Sequence, residues 1–184
     1  MQRIIVIPNL HLPNSQFAEW AKSIAKPNVE VIEFGKTPQD LINMEWKGIL
    51  NELKLLNETH NQRGFELYYL TEGWGFLPVL EAVESNQISG IFSIQPIIIK
   101  EKKIREHSLY SNSLDIKHLL EQSSSAMHLF FPEKGFENDY KRSIKHLKNI
   151  GKPNICVKSY NEASLLSEHV LDEIRSYILY NLGH

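Results

Sequence analysis

A three-layer α/β/α sandwich around a mainly parallel, six-stranded sheet is the fold this sequence predicts. Two patterns carry the prediction. Short apolar runs such as Arg3-Ile4-Ile5-Val6-Ile7 alternate with longer segments whose apolar residues recur every three or four positions. The first pattern suits a strand covered by helices on both faces, and the second a helix that buries one stripe. Strands separated by helices then give a parallel sheet with right-handed crossovers.

The elements follow in order. Residues 3–8 form the first strand. Pro13-Asn14-Ser15 supplies a turn and an N-cap for a helix over 16–25. Residues 29–34 partly alternate, which places that strand nearer the sheet edge, and Gly35 closes it. Thr37-Pro38 opens a long helix with Ile42, Trp46, Ile49, Leu53 and Leu56 on its core face. A strand rich in aromatics covers 65–70, a helix 76–84 and a strand 88–95. From 96 to 125 the pattern loosens into a cap-like excursion, with a helix over 114–121 and the loop triplet Ser123-Ser124-Ser125. Regular alternation resumes with a strand at 127–131, a helix at 138–150 (Tyr140, Ile144 and Leu147 inward) and a strand at 154–158. A helix over 164–182, with Leu166, Val170, Ile174 and Ile178 on one face, ends the chain. No repeat and no linker interrupts this order, so residues 1–184 read as one domain.

Composition narrows the function classes. The 184 residues are 42% hydrophobic and 23% charged, as in ordinary globular proteins. Twenty Lys and Arg against 22 Asp and Glu give a net charge of −2, not the basic balance of a nucleic-acid binder. A single cysteine, Cys156, excludes an internal disulfide and a thiolate-rich zinc site; placed mid-strand, it reads as buried packing. No apolar run approaches the roughly 20 residues that span a bilayer. The chain enters a strand where a signal peptide would lie, so a cytoplasmic protein is expected. The histidines show no metal-ligand spacing, and neither GxGxxG nor GxxxxGK[ST] occurs, so no metal and no cofactor are expected.

Ligands of an open parallel sheet bind beyond the carboxyl ends of its strands. Five junctions qualify: Asn9-Leu10-His11-Leu12, Thr71-Glu72-Gly73-Trp74-Gly75, Gln95-Pro96, Pro132-Glu133-Lys134-Gly135 and Tyr160-Asn161-Glu162-Ala163. The second is the most informative. A strand runs into it and an apolar helix leaves it at once, which is the context of a nucleophile elbow, G-x-S-x-G. Gly75 keeps the second small position, Thr71 replaces the first glycine and Gly73 stands in the serine slot.

With that junction the chain resembles the α/β-hydrolase superfamily, and most of all its small, nearly capless retinoblastoma-binding-protein-9-like serine hydrolases. The likeness covers nearly the whole chain in element order and spacing. It implies an acid after the strand at 127–131 and a histidine between the last strand and the last helix. Gly135 stands in the acid slot, and Glu162 or Ala163, depending on register, in the histidine slot. His169 falls inside the expected last helix, about two turns away. Asp139 could replace the acid, although Asn138-Asp139 suits a helix cap. Nucleophile, acid and imidazole are all missing, so Ser-His-Asp hydrolysis is not expected.

The remaining pocket candidates are Asn9, His11, Glu72, Gly73, Trp74, Pro96 and Glu162. His11 lies in the loop that lines the oxyanion side in the family, and is either a ligand-facing acid/base or a surface residue. Trp74 either stacks on a ligand or seals a closed pocket. The leading expectation is a catalytically degenerate hydrolase-fold protein that binds a small molecule or a peptide. A second is a lyase, isomerase or cyclase using His11 with Glu72 or Glu162 as acid and base. A third is an accessory subunit docking a protein partner through 96–125. Neither nucleic acid nor membrane is expected as a partner.

Overall fold

The computed structural model describes residues 1–10, 16–24, 29–32, 46–82, 88–98, 115–134 and 137–183. Its strands are β1 (Gln2–Ile7), β2 (Val29–Val31), β3 (Glu66–Glu72), β4 (Gly90–Ile94), β5 (Ala126–Pro132) and β6 (Ile155–Tyr160). They form one sheet in the order β2-β1-β3-β4-β5-β6, and every adjacent pair is parallel. The described helices are α1 (Gln16–Lys22), α2 (Trp46–Gln62), α3 (Phe76–Ala82), α4 (Ile116–Gln122), α5 (Glu137–Ile150) and α6 (Glu168–Asn181). This is the parallel α/β sandwich the sequence predicts.

Strand alternation divides the core into two layers. Ile5, Ile7, Leu67, Tyr69, Ile91, Met127, Leu129 and Phe131 face α2, α3, α4 and α5, where Ile49, Leu53, Val79, Leu120 and Leu147 close over them. Ile4, Val6, Leu70, Phe92, Ile94 and Phe130 face α1 and α6, against Phe17, Ala21, Val170, Ile174 and Ile178. Each such side chain contributes about 1.5–3 kcal/mol when fully buried, which is why these near-continuous apolar strands specify a sheet covered on both sides.

α3 is buried on almost every side, and Pro78 fits it because a first-turn position has no intrahelical N–H to lose. α4 is capped by Asp115, whose carboxylate accepts the His118 N–H at 3.0 Å. α5 starts at Glu137, so Asn138 and Asp139 fall inside its first turn rather than at the cap.

The last helix starts at Glu168, four residues later than the periodicity suggests. Residues 164–167 form a turn instead, in which the Ser164 hydroxyl accepts the Leu166 N–H at 3.2 Å and Leu165 turns into the core. Cys156 is half-buried, its Sγ 3.7 Å from the Tyr177 hydroxyl. Most of the 96–125 excursion, residues 99–114, lies outside the described residues, as do Ile42, His11 and Gly135.

Candidate functional site

The sheet order fixes where a crevice must open. From β1 the chain goes to β2 on one side and then crosses to β3 on the other. The carboxyl ends of β1 and β3 are therefore the topological switch point, where an open α/β sheet holds its ligands. Asn9 follows β1 there, and Glu72-Gly73-Trp74-Gly75 follows β3.

The turn after β3 has the backbone of an elbow. Glu72 is still extended (φ −125°, ψ 134°), Gly73 turns left-handed at φ +51°, and residues Gly73–Gly75 make a single 3-10 turn that runs into α3. A side chain at φ +51° is strained, and Gly73 relieves that strain. Gly75 has a different reason to be glycine. A Cβ there would lie 2.6 Å from the Ile7 carbonyl oxygen and 2.7 Å from that of Pro8. The elbow helix thus packs directly on the β1 backbone, which leaves no room for any side chain.

Gly73 carries no nucleophile, and the space above it is not empty. A Cβ on Gly73 would meet the Asn9 carboxamide, with Nδ2 at 3.0 Å, Cγ at 3.1 Å and Oδ1 at 3.3 Å. The Asn9 backbone N–H in turn donates to Glu72 Oε2 at 3.3 Å. One backbone N–H of the loop after β1 is therefore already taken by an internal carboxylate. Glu72 itself is only 7% exposed. Below the turn, the Thr71 hydroxyl donates to Ser93 Oγ at 2.7 Å; both residues are fully buried, so neither hydroxyl reaches a substrate.

Of the residues expected to line a pocket, Asn9, Glu72, Gly73, Trp74 and Pro96 come together. The Ile97 N–H donates to the Gly73 carbonyl at 3.3 Å, which ties the Gln95-Pro96 junction to the elbow. Trp74 is buried in the same apolar cluster as Leu10 and Ile98. Glu162 and Ala163 are exposed, and the Glu162 carbonyl accepts the Lys134 N–H at 2.9 Å. That bond holds Glu162 beside the loop after β5, two strands from β3, so the described contacts do not bring it to Glu72. His169 lies on the exposed face of α6, 3.2 Å from Glu173.

Gln95 is a positional residue that composition does not reveal. It sits at φ +51° although it is not glycine. Its Nε2 donates to the Tyr140 hydroxyl at 3.1 Å, and its Oε1 accepts the Leu165 N–H at 3.4 Å. One side chain thus joins the loop after β4 to α5 and to the loop after β6. A Gln-Pro pair after a strand is the sole signal in the sequence, and it does not report a left-handed residue.

No group of three His, Cys, Asp or Glu able to hold a metal occurs among the described residues. No described helix is long and apolar enough to cross a membrane. A groove of about 600 Å³ opens farther along the rim, between α5 and the loops after β5 and β6.

Sequence comparison gives no relatives: no protein-family model matches the chain, and no curated protein matches it. Solved structures do. A monoacylglycerol lipase of Paleococcus ferrophilus superposes with a TM-score of 0.72 at 11% identity, over 97% of this chain and 93% of the lipase. Est1E from Butyrivibrio proteoclasticus gives 0.72 at 10% identity, over 100% and 89% of the two chains. An esterase of Pyrococcus furiosus gives 0.68 at 10% identity, over 98% and 81%. The fold is therefore α/β-hydrolase-like, and identities this low speak to the fold alone.

Proposed function

We propose that this chain is a hydrolase-fold protein that binds a small molecule or a peptide end at its strand-end crevice and does not hydrolyse it through a Ser-His-Asp triad. The observation that carries this reading is Gly73. The elbow backbone is present, its tip lacks a hydroxyl, and the Asn9 carboxamide stands against it. Acyl transfer needs a nucleophile and an activating base, and glycine supplies no atom for the first. Asn9, Glu72, Trp74 and Pro96 instead bring an amide, a carboxylate and two apolar rings to that turn, residue types that small-molecule sites combine. By element order and spacing we read the chain as of the small, nearly capless retinoblastoma-binding-protein-9-like type.

The reading is tested by assaying p-nitrophenyl acetate and butyrate with the purified chain, and by native mass spectrometry of the protein from its own source. Turnover at the buffer rate, together with a small added mass released on heating, is the expected pair of results. Turnover well above buffer that is lost in Glu72→Gln overturns the proposal.

A further inference from the structure

The groove between α5 and the loops after β5 and β6 is lined by Lys134, Lys141, Lys145 and Lys148, with Ile144 and Ser159 among the other lining residues. We infer that it binds a small polyanion, a molecule bearing at least two phosphate or carboxylate groups. This inference is independent of the elbow reading, since the two sites share no residue.

Three features support it. The first is charge. Among the described lining residues four exposed ammonium groups accompany one carboxylate, Glu133, and none of the four forms an ion pair with a described residue. A solvated helix usually mixes signs, as α2 does with Lys47, Glu52, Lys54 and Glu58. α5 confines its acids, Glu137 and Asp139, to its first turn, and from Tyr140 to Asn161 the sequence carries Lys141, Arg142, Lys145, Lys148, Lys152 and Lys158 and no acid, in a chain of net charge −2.

The second is spacing. Lys141, Lys145 and Lys148 lie at i, i+4 and i+7, so they share one face of α5 over about 10 Å of helix axis. Two anionic groups on one molecule can each meet a different lysine.

The third is a fixed wall. Glu133 N–H donates to the Tyr160 carbonyl at 2.7 Å, Lys134 N–H to that of Glu162 at 2.9 Å, and the Ser159 hydroxyl to Glu133 Oε1 at 2.6 Å. The loops are held in place before any ligand arrives, which lowers the ordering cost of binding. The volume of about 600 Å³ is that of a small-molecule site. The exposed large apolar residues of the described chain are Met1, Leu55 and Tyr180, none of them at the groove, so it lacks the apolar rim of a membrane-docking surface.

Titration calorimetry with inorganic tripolyphosphate and with citrate, at low and at physiological ionic strength, tests the inference. Saturable 1:1 binding to at least one probe is expected, weakened by salt. The double variant Lys141→Gln/Lys145→Gln should weaken it by roughly tenfold, since each exposed charge contact is worth up to about fivefold. Lys47→Gln/Lys54→Gln, on the exposed face of α2, should leave it unchanged. All four positions are exposed, so the variants should keep the parent circular dichroism spectrum. The inference is overturned by no saturable binding to either probe, or by equal affinity in the two double variants. It is also overturned if anionic vesicles or single-stranded RNA bind more tightly than either probe with the same dependence on Lys141 and Lys145.

Discussion

The Asn9 carboxamide lies 3.0 Å from the point where a side chain on Gly73 would begin, with the Asn9 backbone bound to the neighbouring Glu72 carboxylate. The loop after β1 and the elbow after β3 are thus fitted to each other. Glycine at one position matches asparagine at the other, and the carboxamide takes the space a side chain at 73 would enter.

A hydroxyl-bearing side chain at position 73 should therefore cost stability. Gly73→Ser places a side chain at φ +51° and against Asn9, which should cost about 1–2 kcal/mol and lower Tm by roughly 2–8 °C. Adding Asn9→Ala should return part of this loss, a coupling of at least about 0.5 kcal/mol in a double-mutant cycle. Strictly additive Tm changes would show that the two residues do not compete for space.

Gly75→Ala should be worse than Gly73→Ser. Its Cβ meets two backbone oxygens, those of Ile7 and Pro8, which cannot swing aside as the end of the Asn9 side chain can. A loss of about 3 kcal/mol is expected, measured by urea denaturation. A loss below that of Gly73→Ser would contradict the close contact between β1 and the elbow.

At Gln95 the usual ranking of alanine and glycine should reverse. Both substitutions remove the bonds to Tyr140 and Leu165, but only glycine accepts φ +51° without strain. Gln95→Ala is expected to be less stable than Gln95→Gly by about 1 kcal/mol, as read from chemical denaturation. The opposite order would remove the case for a strained junction.

His128 should give the protein an acid-sensitive element. Its ring stacks on Phe92 with centroids 4.9 Å apart, and its Nδ1 lies 2.8 Å from the Tyr177 hydroxyl. Burial, reinforced by the Lys158 charge, holds its pKa below the ordinary 6.5. The unfolded chain then binds a proton that the folded one resists. Stability from this residue is complete above about pH 6.5 and falls as pH drops toward the lower folded value. His128→Phe should flatten the dependence of Tm on pH in that interval. An unchanged slope would assign it to other groups.

Much of the fold was legible because burial writes itself into periodicity. The runs at β1, β3 and β5 are apolar on both faces because helices cover both, and Ile49 and Leu53 recur at the spacing of one helix face. The start of α6 was not legible, because Leu165 continues the apolar spacing while its backbone turns away to meet Gln95. At the site, Gly73 was visible from its place between strand and helix. The filling of its space by Asn9 was not, since a loop side chain's direction depends on contacts with a distant strand. The lysines of α5 were legible as charges, but their convergence on a groove required the positions of β5 and β6.

Intact-mass spectrometry after exposure to an excess of a fluorophosphonate probe tests the absence of an elbow nucleophile most directly. The native protein should remain at its parent mass, because the described hydroxyls at the elbow, Thr71 and Ser93, are buried and bonded to each other. Stoichiometric addition of one probe, abolished by prior heat denaturation, would reveal an activated nucleophile in the folded chain and contradict the account.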